Sequence, residues 1–328
     1  MADLGLSIAI GDYDRVRPLA RGQVAIDGVD PTFLFLEPEE IFFRAFRHAE
    51  FDLCELSLSS YTIGVGAGTS AYLAVPVFPS RAFRHTAIYV RKDRIRAPAD
   101  LKGRRVGIPE YQLTANVWAR ALLEDMFGIA PRDLHWVQGG IDEPGRIEKI
   151  GLSLPEDVRI EPAPEGRSLS DLLEAGDIDA MIAPRAPRGF GVHPDIGWLF
   201  DDPAAAAADY FKATGIFPIM HVLAIRKRLV EAHPWLPASV HKAFTRAKDI
   251  ALARLVDPAA SAVALPFLEE TARGIRALMG TDYWPYGLEA NRVTLDAFLS
   301  HHHRQGLSPQ RLAPEALFAA AALEQARI

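Results

Sequence analysis

Two arginines and a histidine within five residues form the most chemically suggestive group in the chain: Arg81, Arg84 and His85. They lie between two predicted strands, the first of which is predicted to end at Pro79, so a loop is expected here. A planar guanidinium binds a carboxylate through two charge-assisted hydrogen bonds. We therefore predict that Arg81 and Arg84 bind adjacent carboxylates on one ring. The alternative is a solvated basic loop, which Phe83 and the uncharged flanking residues disfavour.

Three residues are predicted to carry acid and base chemistry. His85 and His221 are suited to exchange protons with a ring hydroxyl, because imidazole titrates near neutral pH. Glu110 is the predicted donor of a proton to a ring carbon, a role that requires burial or a neighbouring charge to raise the pKa of a carboxyl group. The structural alternatives are a core position for His221 and a helix-capping role for Glu110.

Other polar residues follow predicted strands, where ligands of open α/β sheets bind. Arg185 ends one such strand and is predicted to contact the ligand, with pairing to Asp177 or Asp179 as the structural alternative. Three serines follow another predicted strand and are suited to cap a helix, whose N-terminal N–H groups also bind carboxylates. They are Ser57, Ser59 and Ser60.

Asp12, Glu55 and Tyr111 complete the predicted ligand-binding residues. Asp12 lies in the polar loop after the first apolar run. Glu55 follows a strand, where it either accepts a hydroxyl proton or holds Arg81. Tyr111 is expected to stack on an aromatic ring, and Trp118 is assigned either to the same stacking or to a helix core.

The adjacent residues His301, His302 and His303 have a spacing that is unsuited to metal binding. Successive side chains on a helix point about 100° apart and do not converge as i, i+4 pairs do. The triplet is therefore predicted to form an exposed helix end, where cations are favoured. The sequence contains neither zinc-type Cys/His spacing nor a Gly-rich phosphate loop. We predict no metal and no cofactor, and a metal held by residues distant in sequence is left open.

The composition is that of an ordinary folded protein. Of the 328 residues, 49% are hydrophobic and 24% are charged, so disorder is not indicated. The net charge of -6 and the lack of a long Lys/Arg stripe argue against a nucleic-acid partner. A single cysteine, Cys54, excludes an intrachain disulfide and is predicted to be buried. Two lobes are expected, since single cores stop growing at about 250–300 residues.

The start of the chain and one long uncharged segment bear on location. The first residues lack the basic and apolar regions of a secretory signal, which predicts a cytoplasmic protein. Residues 56–80 carry no charge and are long enough to span a bilayer. Their Ser, Gly and Pro residues are poor material for a lipid-exposed helix, so no membrane span is predicted.

Strand, loop and helix units alternate along the chain and predict an α/β fold. The predicted strands cover residues 4–10, 51–56, 74–78, 86–90, 105–108, 134–137, 180–183 and 222–226. Helices are predicted at 37–49, from 114 to the glycine at 128, at 168–175, and over most of the chain from 234 onward.

Eight blocks, spread over nearly the whole chain, are similar to the sequences of one enzyme family. They are Gly11–Arg15, Glu37–Phe42, Glu55–Tyr61, Pro76–His85, Val106–Tyr111, Trp136–Gly140, Gly215–His221 and Trp284–Asn291. Together they resemble the 4,5-dihydroxyphthalate decarboxylases. The resemblance implies a two-lobed, type II periplasmic-binding-protein-like architecture with a ligand cleft between the lobes. Residues 1–86 and 221–328 would form one discontinuous lobe, and 87–220 an inserted second lobe.

The resemblance also implies a reaction, the non-oxidative loss of one carboxylate from an ortho-dicarboxylated catechol ring to give protocatechuate and carbon dioxide. A hydroxyl para to the leaving carboxylate raises electron density at the carbon that is protonated. Loss of carbon dioxide then restores aromaticity, so the reaction requires no redox cofactor. The expected partner is a small aromatic carboxylate from phthalate degradation.

Two other functions stay open at this point. One is a solute-binding protein that closes on a small carboxylate without chemistry, and the other is a related cofactor-free lyase. Turnover of a hydroxylated phthalate with release of carbon dioxide would exclude the binding protein, and a panel of acids tested for binding and turnover would distinguish the related lyase. A homo-oligomer is also left open.

Overall fold

The computed structural model describes residues 3–146, 148, 150–152, 154–257, 259 and 261–324. Its contacts divide the chain into two compact units. Unit 1 comprises residues 1–81, 221–295 and 313–328, and unit 2 comprises residues 82–220 and 296–312. Each unit contains one β-sheet flanked by helices, so the predicted α/β class is confirmed.

The strands found in the described residues are, in chain order, β1 (Leu4–Ile10), β2 (Val29–Phe35), β3 (Leu53–Ser57), β4 (Tyr72–Arg81), β5 (Ile88–Arg91), β6 (Arg105–Ile108), β7 (His135–Gln138), β8 (Arg159–Pro162), β9 (Ala180–Ile182), β10 (Ile196–Trp198) and β11 (Ile219–Arg226). The α-helices are α1 (Arg17–Ala20), α2 (Pro38–His48), α3 (Leu58–Gly66), α4 (Thr114–Phe127), α5 (Leu169–Ala175), α6 (Pro203–Thr214), α7 (Lys227–Ala232), α8 (Leu236–Arg254), α9 (Leu268–Met279), α10 (Arg292–Arg304) and α11 (Ala320–Glu324). No helix in these ranges combines the length and the apolar character that crossing a membrane requires.

The sheet of unit 1 has the order β2-β1-β3-β11-β4. Strand β1 runs parallel to β2 and β3, and β11 runs antiparallel to β3 with His221 opposite Ser57. The carboxyl ends of β1 and β3 and the start of β11 therefore meet at one edge of this sheet. Apolar residues of the central strands form the core, and Cys54 lies among them, fully buried as predicted.

The sheet of unit 2 has the order β10-β5-β9-β6-β7-β8. Strands β9, β6, β7 and β8 are parallel, while β5 is antiparallel to β9 and β10. Leucines of α5 pack on this sheet beside Ile178 and Met181. The loop that begins after β6 carries Glu110, and β7 ends at Gln138, so both residues lie at the carboxyl edge of the parallel strands.

Strand β4 is longer than predicted, because Pro79 does not end it. The strand continues to Arg81, which is possible since β4 is an edge strand and an edge position tolerates a residue without an N–H. Residues 284–291 lie along this edge. The Gly287 amide donates to the Pro76 carbonyl at 2.8 Å, and the Trp284 indole donates to the Phe78 carbonyl at 2.9 Å.

Two parts of the predicted organisation differ from the observed contacts. Residues 82–86 and 296–312 group with unit 2, although they were assigned to the lobe formed by both chain ends. The predicted lobe boundaries and the ligand cleft between the lobes stay predictions. The prediction that residues 301–303 form an exposed helix end is wrong for His301 and His302, which are buried. The His301 ring contacts Asp125, and the His302 ring contacts Ser308.

Candidate functional site

The most organised polar group of unit 1 is built around Glu55, whose side chain is fully buried. Its Oε1 accepts hydrogen bonds from the Tyr13 hydroxyl at 2.7 Å and from His221 Nδ1 at 2.5 Å. Its Oε2 accepts the Gly11 amide at 3.0 Å. Because the imidazole of His221 keeps 17% of its side chain exposed, the group is one buried carboxylate that holds one accessible imidazole.

The sheet register explains why these residues meet. Glu55 lies opposite Leu223 in the β3–β11 ladder, and Ser57 lies opposite His221, so Glu55 and His221 are diagonal neighbours on one face. Gly11 and Tyr13 follow β1, which is parallel to β3 and ends at the same edge. Phe42 from α2 packs edge-on against the imidazole, with 4.9 Å between the ring centroids.

Burial, charge and hydrogen bonds together determine the protonation of Glu55 in its pair with His221. Burial raises the pKa of Glu55, but the charge of His221 and the hydrogen bonds from His221, Gly11 and Tyr13 outweigh burial and hold that pKa below its usual range. An ionised carboxylate only accepts hydrogen bonds, so the proton between the two side chains belongs to Nδ1 of His221. When the ring carries a single proton, this bond keeps it on Nδ1 and leaves Nε2 able to act as a base.

Glu55 was predicted either to accept a hydroxyl proton or to hold Arg81. Its buried carboxylate binds Gly11, Tyr13 and His221 and not Arg81, and the proton-accepting role stays a prediction. The Arg81 guanidinium instead donates to the Pro285 carbonyl at 2.8 Å and to the Asn291 side-chain oxygen. Burial lowers the pKa of Arg81 to about 9, which leaves it a cation at neutral pH.

The other predicted residues of unit 1 lie in two different settings. Ser57, Ser59 and Ser60 are buried at the start of α3, and Ser57 occupies the N-cap position without a side-chain capping hydrogen bond. The three serines therefore lie at the same sheet edge as His221. Asp12 is exposed and pairs with Arg17 at 2.9 Å, an arrangement that does not favour the predicted ligand contact.

Arg84 and His85, both in unit 2, have contrasting surroundings. Within the described part of unit 2, the one hydrogen-bond acceptor of Arg84 is the Met220 thioether, which Nε approaches at 3.0 Å. A thioether is a weak acceptor, and burial lowers the pKa of Arg84 to about 10, so a poorly compensated cation is held here. His85 is buried against Phe200 and Tyr210, and burial lowers its pKa to about 4. This aromatic setting is typical of a neutral core histidine and does not favour the predicted catalytic role.

Glu110 is fully buried after β6 and forms an ion pair, which the predicted capping alternative did not include. Arg146 donates to its Oε1 through Nε at 2.8 Å and through a terminal nitrogen at 2.7 Å. A second carboxyl group, Glu148, accepts from the Tyr111 amide and from the Gln138 side chain at 2.9 Å. Burial, followed by the nearby charge of Glu110, raises the pKa of Glu148, so Glu148 is a carboxyl group suited to hold a proton.

Tyr111 and Trp118 are core residues of unit 2. The Arg120 guanidinium lies 3.7 Å from the centroid of the buried Tyr111 ring and already occupies one face of it, which disfavours stacking on a ligand. Trp118 donates its indole N–H to the Ile219 carbonyl at 2.8 Å and packs against Phe298, as its helix-core interpretation predicts.

Arg185 is exposed after β9, and its two predicted alternative partners are taken by other residues. Asp177 pairs with Arg167 at 2.5 Å, and Asp179 pairs with Arg94 at 3.1 Å. The predicted ligand contact of Arg185 stays a prediction.

Comparison with curated proteins identifies the family. The chain is 56% identical over 330 residues to 4,5-dihydroxyphthalate decarboxylase of Comamonas testosteroni, with all of both chains covered. This chain belongs to the 4,5-dihydroxyphthalate decarboxylase family. The Pseudomonas putida member of the family is 60% identical over 215 residues, which are 65% of this chain and 83% of that protein. No protein-family model matches the chain.

Solved structures show the fold of this decarboxylase-family chain. The periplasmic aliphatic sulphonate-binding protein SsuA of Escherichia coli aligns with a TM-score of 0.51 at 14% identity, covering 97% of this chain and 92% of that one. The alkanesulfonate-binding protein SsuA of Xanthomonas axonopodis pv. citri aligns with a TM-score of 0.50 at 14% identity, covering 98% of both. The predicted periplasmic-binding-protein-like fold is therefore confirmed.

Sequence reasoning missed several polar residues of this family member. Tyr13 and Gly11 lie in a loop, and in a block of family similarity, from which only Asp12 was predicted to bind the ligand, and Arg146 and Glu148 follow no strand or motif. For Tyr13 a signal existed, because a large hydroxyl side chain two residues after a glycine at a strand end can fold back over it. No group of three or more His, Cys, Asp or Glu residues suited to a metal ion occurs in the described part of the chain.

Proposed function

We propose that this protein removes one carboxylate from 4,5-dihydroxyphthalate and releases protocatechuate and carbon dioxide. The observation that carries the proposal is the 56% identity to a 4,5-dihydroxyphthalate decarboxylase over the full length of both chains. The Glu55–His221 pair supports it from the structure, since it supplies an oriented base. A cytoplasmic location and a small aromatic carboxylate as the partner belong to the same proposal.

In the proposed mechanism, His221 Nε2 takes the proton of the ring hydroxyl para to the leaving carboxylate. The resulting phenoxide donates electron density to the carbon that bears this carboxylate. A protein acid then places a proton on that carbon and forms a dearomatised ring. The bond to the carboxylate breaks, its electron pair returns to the ring, and carbon dioxide leaves. The imidazolium returns its proton to the phenoxide, so the net change consumes one proton and releases one carbon dioxide.

The acid that protonates the ring carbon is proposed to be Glu148. Glu110 was predicted for this step, but its carboxylate is clamped by two nitrogens of Arg146, an arrangement that holds an anion in place. Glu148 lies near Glu110, and the raised pKa of Glu148 favours the protonated form that a donor requires. Glu148→Gln should lower kcat, with a smaller change in KM.

Arg84 is proposed to bind a carboxylate of the substrate. A half-buried guanidinium whose acceptor among the described residues is a thioether gains strong hydrogen bonds when a carboxylate arrives. Arg81 has neutral protein acceptors and is proposed to add positive potential at the carboxyl end of β4.

Isotope incorporation tests the proposed function directly. The purified protein is incubated with 4,5-dihydroxyphthalate in deuterium oxide, and the product is analysed by mass spectrometry and proton NMR. One carbon dioxide should be released per turnover, and one deuterium should appear at carbon 6 of protocatechuate, the carbon that lost its carboxylate. Tight binding without carbon dioxide release would instead support the solute-binding alternative, and turnover of a different hydroxybenzoate alone would support a related lyase.

A further inference from the structure

Two hydrogen-bond donors, Tyr13 and His221, share one carboxylate oxygen of Glu55. The Tyr13 hydroxyl and His221 Nδ1 both bind Oε1, at 2.7 and 2.5 Å, while Oε2 accepts the Gly11 amide. Tyr13 therefore draws negative charge away from the oxygen that holds the imidazole proton. The strength with which Glu55 stabilises a protonated imidazole depends on whether this second donor is present.

Gly11 makes the Tyr13 contact possible. A methyl group at Gly11 would lie 2.7 Å from Cζ of the Tyr13 ring and 3.0 Å from its hydroxyl oxygen, too close for either to stay in place. Arg15 also packs on the Tyr13 ring, with its guanidinium carbon 4.2 Å from the centroid of Tyr13 and 4.4 Å from that of Trp284. The loop after β1 is thus shaped so that the tyrosine hydroxyl reaches a buried carboxylate.

We propose that Glu55 and Tyr13 are positioning residues that set the tautomer and the basicity of His221. Glu55 fixes the proton on Nδ1 and leaves Nε2 as the base. Tyr13 weakens the pull of Oε1, so that the imidazole gives up the proton it has taken from the substrate instead of retaining it. This inference rests on the proposed function, in which His221 is the base.

The surroundings of His221 in unit 1 limit which groups can produce a pH effect. Glu55 on β3 and Tyr13 in the loop after β1 are the titratable groups linked to it, and Arg15 is the charged group against Tyr13. Phe42 from α2 covers the ring edge and carries no charge. Changes at Glu55 and at Tyr13 should therefore act on the imidazole in opposite directions.

Two single substitutions measure these directions. Tyr13→Phe returns negative charge to Oε1 and favours imidazolium, so the acidic limb of the kcat/KM profile should move to higher pH by about half a unit or more. Glu55→Gln removes the charge and disfavours imidazolium, so the limb should move to lower pH. The amide also offers an N–H to Nδ1, which favours the tautomer with the proton on Nε2. This wrong tautomer should reduce kcat by about 100-fold or more, as for other residues that orient a histidine. KM should stay within about threefold of the unaltered value.

Asp14→Asn serves as the matched control, because Asp14 lies in the same loop and pairs with Arg15 but does not contact Glu55 or His221. Its pH profile should match that of the unaltered protein. The inference is overturned if Tyr13→Phe and Glu55→Gln move the acidic limb in the same direction, or if both leave it in place.

A second measurement does not depend on activity. Imidazole nitrogen NMR on the unaltered protein, labelled with ¹⁵N-histidine, reports the tautomer of each of the 10 histidines, and the signal missing in His221→Gln assigns His221. Nδ1 should carry the proton in the neutral ring, and a proton on Nε2 overturns the inference. If the protein shows the Nδ1 tautomer but releases no carbon dioxide, the proposed function fails while the Glu55–His221 arrangement stands. Failure of the inference and failure of the proposed function are therefore distinguishable.

Discussion

At the scale of single residues, a buried carboxylate determines what His221 can do. The residue type alone predicted His221 as an acid or base, and its partial exposure with Nδ1 bound to Glu55 distinguishes it from a core histidine and supports the proposed role as a base. His85, which has the same residue type, is enclosed by aromatic rings and has a lowered pKa. Two histidines that sequence reasoning treated alike are therefore separated by their surroundings.

Arg84 is expected to contribute to substrate binding, because the acceptor it has among the described residues, the Met220 thioether, is a weak one. Arg84→Ala should raise KM by about 10- to 150-fold, which corresponds to about 1.5–3 kcal/mol for a hydrogen bond to a charged group. Arg84→Lys should restore part of this loss, since the charge returns without the planar fork. Steady-state kinetics with 4,5-dihydroxyphthalate measures both.

Arg188→Ala is the control for Arg84, because Arg188 is an exposed arginine of the same unit that pairs with Asp171 and Glu174. Its KM should stay within about twofold of the unaltered value, since exposed ion pairs contribute little. Equal KM values for Arg84→Ala and the unaltered protein would remove Arg84 from the binding site.

At the scale of elements, the edge strand β4 depends on a segment more than 200 residues away in the chain. Asn291 is buried and donates to the carbonyls of Pro285 and Gly287 at 3.0 and 2.8 Å, while its oxygen accepts from Arg81. These bonds hold residues 284–291 against β4, which would otherwise expose unpaired backbone groups along its edge. The outer edge of a strand that contains Pro76 and Pro79 is thus covered by a segment outside the sheet.

Asn291→Ala is expected to lower the free energy of unfolding by about 2–3 kcal/mol, because it removes the side-chain donor to the Pro285 and Gly287 carbonyls and one acceptor of the buried Arg81 guanidinium. Urea unfolding followed by circular dichroism measures the change. Glu289→Ala changes an exposed residue of the same turn and should cost less than about 1 kcal/mol. Similar losses for both variants would mean that Asn291 does not anchor the segment.

At the scale of the whole molecule, stability should fall as the medium becomes acidic. The pKa of Glu55 is lowered in the folded state, so its stabilising contribution is present above the pKa of the unfolded chain and is lost as pH falls through the folded value. The pKa of His85 is lowered from 6.5 to about 4, so the unfolded chain binds more protons than the folded protein between these values. Both pKa shifts therefore make the folded protein more stable at neutral pH than at acidic pH.

His85→Leu should therefore flatten the pH dependence of the melting temperature between about pH 6.5 and 4, because leucine fills the aromatic cluster without a proton to bind. Differential scanning calorimetry at several pH values provides the measurement, and His48→Leu, an exposed histidine at the end of α2, is the control. A slope unchanged by His85→Leu would show that His85 is not held neutral in the folded protein.

Much of the fold followed from local patterns along the chain. Leu4–Ile10, Arg105–Ile108 and Thr114–Phe127 were predicted to within a residue, because apolar runs and a left-handed glycine such as Gly128 act through neighbours in sequence. Strand ends were less predictable where another part of the chain decides them. Pro79 was expected to end β4, but whether a proline is tolerated depends on which strand lies at the sheet edge.

By itself, the sequence determined the α/β class, the family resemblance, the buried Cys54 and the residue types able to bind an anion or move a proton. These properties depend on composition and short-range periodicity. The tertiary structure alone decided that Glu55 holds His221 and not Arg81, that Arg146 holds Glu110, and that His85 lies among aromatic rings. A hydrogen-bond partner is selected by which strands pair and in which register, and that choice is made by the packing of the chain as a whole.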